Sequence, residues 1–405
     1  MILTLAAVSL LKGIFWVSLA VVSYAYVGYG VLLYVLVRLR RIFFPEKNKS
    51  AAPGELPEAA LIICAWNEAA FIREKIANTL ALDYPPSHLH IVFVTDGSTD
   101  DTPRMISEYP VPPGCRLTLL HQDGRAGKLA AFKRAMRLTH EPVVVSTDAN
   151  TCLNSEALRR LLAHFDDPQV GAVAGEKRIA MNQKEAANSA GEGLYWRYES
   201  ALKRWDSELW SVVGAAGELF AFRRECYEDP PPDTIVEDFY LTMRIAQRGW
   251  RVRYEPHAYA IETASASVAE EYKRKVRIAA GGLQAVARLA PLLNPLRYGV
   301  LCFQYVSHRV LRWTLAPLLL PLIFASNLAL ALYVGGPYRW LLGGQVLFYA
   351  LAAVGFWLEK KQLRFKAFFV PYYFCMMNYA QYAGALRLLR GRQSVLWEKA
   401  RRSGE

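Results

Sequence analysis

The chain has 405 residues, of which 53% are hydrophobic and only 21% are charged, and this composition excludes a wholly soluble protein. Its net charge of +12 is compatible with nucleic-acid binding, but the sequence contains no nucleic-acid-binding motif. We therefore assign much of the positive charge to segments beside a membrane, where anionic lipid headgroups attract it.

The first long apolar segment, residues 13–37, carries no charge and has enough residues to cross the hydrocarbon core of a bilayer as a helix. It is too long for a secretory signal peptide and lacks a small-residue cleavage site, so it predicts an uncleaved anchor. The positive-inside rule then places the following region in the cytoplasm. The basic residues after the segment are Arg38, Arg40, Arg41, Lys47 and Lys49.

The region between about residues 45 and 295 carries charge throughout and is typical of a globular domain. Apolar strand-like runs alternate in it with helical patterns, and this alternation predicts a parallel sheet covered by helices on both faces. The predicted strands are 60–64, 90–94, 117–120 and 142–146, and the predicted helices are 68–80, 102–107 and 128–137.

Polar residues follow four of these strands, at the edge where ligands of parallel sheets bind. They are Glu68, Asp96, Lys128 and Asp148. Each aspartate has an alternative explanation as a turn or helix cap. A cation in the first turn of a helix opposes the helix dipole, so Lys128 favours a phosphate partner. Further along, Glu237 and Asp238 precede a predicted helix and either cap it or join the site.

Three more uncharged segments follow, at residues 313–338, 340–358 and 367–386, and the charged run 359–366 predicts a cytoplasmic loop. If all four segments cross, the basic tail lies outside, against the positive-inside rule. The last segment contains Pro371, Asn378 and Gln381, so a re-entrant or interfacial position that keeps the tail inside is the alternative.

Together these segments resemble family 2 glycosyltransferases, in particular the membrane-embedded branch with the cellulose, hyaluronan and poly-N-acetylglucosamine synthases. The matching motifs are residues 62–68, 94–100, 125–128, 148–150, 214–218 and 236–238. The resemblance implies an α/β fold of the GT-A type, a Rossmann-like parallel-sheet domain on the cytoplasmic side flanked by transmembrane helices. The implied divisions are an anchor with its basic flank (1–44), the catalytic domain (45–265), interfacial amphipathic helices (266–312), transmembrane helices (313–388) and a basic tail (389–405).

The resemblance also implies roles for individual residues in an inverting sugar transfer. Asp238 is the expected general base, and Asp148 with Asn150 is the expected site for Mg²⁺ or Mn²⁺. Asn150 stands where the family has a second aspartate, and an amide oxygen lacks charge, so Asp148 must carry more of the metal binding. The expected substrate-binding residues are Glu68, Asp96 (toward the uridine), Lys128 (toward the diphosphate), Gly217, Glu237, Arg274 and Arg277.

One family element departs from its pattern. The polymer synthases carry Gln-x-x-Arg-Trp after the base, whereas residues 274–278 keep the arginine and lack the glutamine and the tryptophan. Residues 309–313, which end in Arg-Trp, are a second candidate, and Trp196, Trp205 and Trp210 are further possible acceptor platforms. Loss of the tryptophan predicts a product of few added sugars.

The partners implied by the resemblance are a nucleotide-sugar donor, taken to be a UDP sugar, a glycan or lipid-linked acceptor, and membrane lipids, with no nucleic acid. The implied location is the plasma membrane (the inner membrane of a bacterium), crossed several times, and the oligomeric state stays open. Transfer to a simple lipid is one alternative. A catalytically inactive membrane scaffold is another, and the joint presence of Asp96, Lys128, Asp148 and Asp238 argues against it.

Overall fold

A computed structural model of the chain describes residues 4–44, 56–180, 190–263, 268–361, 365–394 and 396. Lys47 and Lys49 of the predicted basic flank, residues 362–364 of the predicted loop and most of the predicted tail lie outside these residues. So does the predicted domain boundary between residues 265 and 266.

The described strands form one eight-stranded sheet in the order β3-β2-β1-β4-β7-β6-β8-β5. The first four are parallel, β7 is antiparallel to both its neighbours, and β6 and β8 pair in parallel. The predicted α/β sheet is thus confirmed, and its continuous parallel part is limited to β1–β4. The strands are β1 Ala59–Ala65, β2 Leu89–Asp96, β3 Arg116–Gln122, β4 Val143–Asp148, β5 Thr151–Leu153, β6 Val170–Ala180, β7 Leu219–Arg223 and β8 Arg251–Thr263.

The helices alternate with these strands and then continue beyond the sheet. They are α1 Leu5–Phe43, α2 Ile72–Leu80, α3 Thr102–Ser107, α4 Lys128–Leu138, α5 Ala157–Leu162, α6 Ala190–Leu209, α7 Glu237–Gln247, α8 Val268–Arg288, α9 Pro295–Tyr305, α10 Leu315–Tyr333, α11 Pro337–Lys360 and α12 Lys366–Leu389. After α9 the chain continues through a π-helical turn, Val306–Val310, and a short helical piece, Leu311–Trp313.

Two hydrophobic cores cover the two faces of the sheet, because successive side chains of a strand point to opposite faces. Ile62 of β1 packs into one core with Phe132 of α4. Its neighbour Ile63 packs into the other with Ile72 and Ile76 of α2. Each such side chain, when fully buried, contributes roughly 1.5–3 kcal/mol. This packing holds the carboxyl ends of β1 and β4 rigidly beside the start of α4.

Three described helices are long and apolar enough to cross a membrane: α1, α10 and α11. α12 covers the fourth predicted segment but is not among them, and it packs against the amphipathic helix α8. The approach is close, because a Cβ on Gly384 would lie 2.7 Å from the Cβ of Ala279. α12 also contacts α1, where the Tyr26 hydroxyl donates to Asn378 Oδ1 at 2.7 Å.

Candidate active site

A cleft with a cavity volume of about 380 Å³ opens at the carboxyl edge of the parallel strands. It continues along α7 and α8 toward the helices that follow the sheet. Its wall gathers nine of the ten residues that the sequence predicts for the site: Glu68, Lys128, Asp148, Asn150, Gly217, Glu237, Asp238, Arg274 and Arg277.

Lys128 lies at the centre of the cleft as the first residue of α4. Its Nζ is 2.8 Å from Asp148 Oδ1 and 3.1 Å from Glu237 Oε1. Burial works against the charge of the ammonium, but these two carboxylates raise its pKa well above its usual range. Lys128 therefore stays a cation and joins the end of β4 to the start of α7.

Asp96, the tenth residue, is fully buried behind Lys128 rather than in the cleft wall. Its Oδ2 accepts hydrogen bonds from the backbone N–H of Ala126 at 3.0 Å and of Gly127 at 2.6 Å. Gly127 has a φ of 99°, which suits a residue without Cβ. Arg134 lies 3.3 Å from the other carboxylate oxygen. Asp96 thus holds the loop that presents Lys128, and its predicted contact with the uridine stays a prediction.

Glu237 and Asp238 begin α7, and their surroundings shift their pKa values in opposite directions. Burial raises the pKa of Glu237, but the Lys128 charge outweighs it and holds that pKa below its usual value. Burial and the Glu237 charge raise the pKa of Asp238 to about 7. Asp238 Oδ1 accepts the Phe239 N–H at 2.8 Å, while Oδ2 faces the glycine loop. A carboxylate with this pKa suits a general base near neutral pH.

Gly217 leaves room between the base and the cation. A Cβ at this position would lie 3.1 Å from Asp238 Oδ2 and 3.2 Å from Lys128 Nζ. Any larger side chain would fill the point that both charged groups face. The space over Gly217 is therefore bordered by both Asp238 and Lys128.

The residues at the end of β4 fit a divalent cation that a substrate helps to hold. One carboxylate oxygen of Asp148 accepts from Lys128, and the Asp148 side chain is 29% exposed. Asn150, which also lines the cleft, adds an amide oxygen. Mg²⁺ commonly takes one or two carboxylates and completes its shell with substrate phosphates. No group of three His, Cys, Asp or Glu side chains that could hold a metal ion occurs in the described part of the chain.

A buried ion network closes the far side of the cleft. Lys177 of β6 donates to Glu218, which follows Gly217, and to Glu262 of β8. Arg274 joins this network at 3.6 Å from Glu262 and pairs with Glu271 at 2.9 Å. Two carboxylates therefore share the charge of Arg274. Its predicted contact with the substrate stays a prediction. Arg277 lines the cleft, and its charge helps to lower the pKa of Glu237.

Trp313 forms the aromatic wall of the cleft beside the base. Its ring centroid is 5.0 Å from that of Phe239, the residue after Asp238, and the Arg309 guanidinium lies 5.8 Å from its centroid. Residues 309–313, the second candidate in the sequence, therefore place a tryptophan in the cleft wall, which residues 274–278 do not. The prediction of a product of few added sugars stays a prediction.

The other three tryptophans have different surroundings. Trp196 lines the cleft, with Lys275 Nζ 5.6 Å from its ring. Trp205 packs against Tyr34 of α1 at a centroid distance of 5.2 Å. Trp210 is 39% exposed beside Arg251 and lies outside the cleft wall. Of the three, Trp196 alone lines the cleft.

Sequence reasoning missed the buried network of Lys177, Glu218 and Glu262. Glu218 carried a signal, because it adjoins the glycine loop. Lys177 and Glu262 carried none: they are 85 positions apart and meet only because β6 pairs with β8.

Comparison with known proteins gives consistent similarities. A family model described as "Glycosyltransferase like family 2" matches residues 57–281. The poly-beta-1,6-N-acetyl-D-glucosamine synthase of Staphylococcus aureus (strain COL) is 26% identical over 247 residues, which are 60% of this chain and 59% of that protein. The beta-monoglucosyldiacylglycerol synthase of Nostoc sp. (strain PCC 7120) is 26% identical over 249 residues, 59% of this chain and 52% of that protein. The chain thus spans less than two thirds of the length of these relatives.

A solved structure is similar over nearly the whole chain. It is the mannosyltransferase PcManGT from Pyrobaculum calidifontis in complex with GDP-Man and Mn2+, with a TM-score of 0.70. The similarity covers 94% of this chain and 99% of that one at 24% identity. At this identity the likeness shows the fold, and the fold is of the GT-A type.

Proposed function

The chain belongs to glycosyltransferase-like family 2, and on that premise we propose that it is a membrane glycosyltransferase that transfers a sugar from a nucleotide sugar to an acceptor hydroxyl. One observation carries this proposal. Lys128, held between Asp148 and Glu237, and the carboxylate of Asp238 face the same point above Gly217. A cation that would bind the leaving diphosphate and a base that would take the proton of the attacking hydroxyl thus border one small space, in which the transferred sugar would lie between them.

In the proposed reaction, Lys128 and Arg277 bind the donor, and Asp238 acts on the acceptor. Lys128 and Arg277 hold the donor diphosphate and offset the negative charge that develops as the sugar leaves. Asp238 takes the proton of the acceptor hydroxyl as its oxygen attacks the anomeric carbon from the opposite face. Attack from that face inverts the configuration, so an α-linked donor gives a β-glycoside.

We propose that Asp148 and Asn150 hold Mg²⁺ or Mn²⁺ together with the diphosphate. When bound, the cation would supply further positive charge to the leaving group. The bond to Lys128 uses one oxygen of the Asp148 carboxylate, and the carboxylate would supply the negative charge that holds the cation.

The acceptor side is proposed to lie along Trp313, because an aromatic face packs against the apolar face of a sugar or an acyl chain. The names of the two curated relatives suggest two acceptors, a β-1,6-linked N-acetylglucosamine chain and diacylglycerol. A cytoplasmic site at the plasma membrane agrees with Arg38, Arg40 and Arg41 at the end of α1.

The experiment uses the full chain in detergent with Mg²⁺ or Mn²⁺ and two donors, UDP-N-acetylglucosamine and UDP-glucose. The acceptors are a β-1,6-linked N-acetylglucosamine oligosaccharide and diacylglycerol in mixed micelles, and mass spectrometry detects the products. We expect UDP release coupled to one glycosylated product. Absence of both UDP release and product with every pair, at a protein concentration that binds UDP, would overturn the proposal.

A further inference from the structure

A buried ion cluster lies directly behind Trp313. Glu199 of α6, with a side chain only 5% exposed, is its centre. Arg312 Nη1 donates to Glu199 Oε1 at 2.5 Å. Arg309 Nη1 lies 3.5 Å and His308 Nε2 lies 3.4 Å from the other oxygen of this carboxylate, Glu199 Oε2. One carboxylate thus contacts three cation-forming side chains from the short segment that ends at Trp313.

The same segment is tied to the membrane helix α1. α1 contains a π-helical turn, Tyr24–Gly28, and such turns alter the pairing of the backbone carbonyl groups. Arg312 Nε donates to the carbonyl of Ala25 at 2.8 Å, and the Tyr198 hydroxyl donates to the carbonyl of Tyr26 at 2.9 Å. Arg312 therefore bridges α1 and Glu199 with two different nitrogens.

A second carboxylate extends the cluster on the side away from the cleft. Asp206 of α6 is fully buried, and its Oδ2 lies 2.5 Å from His308 Nδ1. Its Oδ1 accepts the hydroxyl of Tyr29 of α1. Gln304 donates to the Asp206 carbonyl at 2.8 Å. Polar contacts that are almost inaccessible to water thus join the membrane helix α1 to α6 and to the segment before Trp313.

We propose that Glu199 is a positioning residue: it locks the segment 306–313 against α1 and so sets Trp313 relative to the catalytic base. The acceptor role of Trp313 rests on the proposed function. Buried charges are costly, and apolar side chains of similar size often give equal or greater stability. A fully paired buried network, however, restricts its members to one geometry. That restriction is useful here because Arg309 and Trp313 both line the cleft.

The first test compares Glu199→Gln with Glu208→Gln in the full-length protein. Glu208 lies on the same helix and pairs with the half-exposed Arg41, so it is a matched control. We expect hydrogen exchange of the amides in 306–313 and 24–30 to become roughly tenfold faster in Glu199→Gln only. UDP affinity should stay within about twofold of wild type, because Glu199 pairs with His308, Arg309 and Arg312 and not with Lys128 or Arg277, which are proposed to bind the diphosphate. Unchanged exchange, or a parallel loss of UDP affinity, would overturn the proposal.

A second, milder substitution tests the same contacts in case Glu199→Gln fails to fold. Arg312→Lys keeps the charge but replaces the two separate nitrogens of the bridge, Nε on Ala25 and Nη1 on Glu199, by one ammonium, so it loses the fixed geometry of the bridge. We expect the same change in exchange at smaller amplitude. If the amides of 306–313 and 24–30 exchange in Arg312→Lys at the wild-type rate, the proposal that this cluster holds the segment is contradicted.

The last arm asks whether Glu199 acts through Trp313. Glu199→Gln should raise KM for whichever of the two acceptor probes wild type uses by roughly tenfold, and should have almost no effect in a Trp313→Ala background. Additive effects would show that Glu199 does not act through the tryptophan. If wild type transfers to neither probe, the proposed function fails, while the exchange measurement still decides whether Glu199 locks the segment.

Discussion

The two sides of the cleft use charge in opposite ways. On the side of the parallel strands, Lys128 and Asp148 are paired but their side chains are 23% and 29% exposed to the cleft. On the side of β6 and β8, the side chains of Lys177 and Glu262 are 4% and 10% exposed and pair with each other. Water and ligands reach the first pair and are almost excluded from the second.

We expect this difference to separate groups that act on substrate from groups that hold the shape of the site. In a partly exposed ion pair, the cation can exchange its partner for a diphosphate and the carboxylate can exchange its partner for a metal ion, because the incoming ligand can reach the pair and replaces the lost charge. A buried pair cannot, since removing one partner leaves an uncompensated charge in a medium of low polarity. Substitutions on the open side should therefore change turnover, and those on the buried side should change stability.

The largest expected effect concerns Asp148. We expect Asp148→Ala to abolish detectable transfer and its dependence on Mg²⁺ or Mn²⁺, because the proposed site then keeps only the uncharged amide of Asn150. The melting temperature should stay close to that of wild type. Asp101→Ala, which removes an exposed partner of Arg104, is the control and should leave activity unchanged. Wild-type activity of Asp148→Ala in a chelator would break the assignment.

The second expected effect concerns the base. Asp238→Asn should lower turnover by at least about a hundredfold, because a positioned base contributes 10²–10⁴. The affinity for UDP should change little, since Lys128 and Asp148 remain. Asp233→Asn, on an exposed carboxylate just before α7, serves as the comparison. Turnover of Asp238→Asn within a few fold of wild type would remove Asp238 from the mechanism.

The third prediction tests the buried side. Lys177→Met should lower the free energy of unfolding by about 3–5 kcal/mol, because Glu218 and Glu262 lose their shared counter-ion. Arg41→Met, which breaks the exposed pair with Glu208, should cost no more than about 1 kcal/mol. Thermal melting in the same detergent measures both. Equal shifts for the two variants would show that burial does not separate these two kinds of ion pair.

The same two sides differ in how far they could be predicted from the sequence. On the parallel side each strand, its following loop and the next helix are contiguous. The predicted strands 60–64 and 90–94 therefore fall within β1 and β2, and helix 102–107 coincides with α3. Lys128 and Asp148 were likewise identified by their position after a strand.

On the other side the contacts depend on pairing between distant segments. The antiparallel insertion of β7 between β4 and β6 brings Glu218 to Lys177, and no local pattern encodes it. Trp313 reaches Phe239 because the helical segment after α9 docks on α7. The motif 309–313 is visible in the sequence, but no local pattern indicates that it lies beside Asp238 and Phe239.

The smallest effect expected is a pH dependence that belongs to the open side alone. Burial and the charge of Glu237 raise the pKa of Asp238 to about 7, so the base is protonated and inactive below that pH and ionised above it. Turnover should therefore rise by about tenfold between pH 6 and pH 8 and then level off. Glu237→Gln should move the midpoint to lower pH, because it removes the neighbouring negative charge while Lys128 remains. Initial rates at saturating donor, with UDP affinity measured at each pH, separate this titration from donor binding. A flat profile between pH 6 and pH 8 in the wild-type protein would mean that another group accepts the proton. The open side of the cleft would then lack the titrating base that distinguishes it from the buried side.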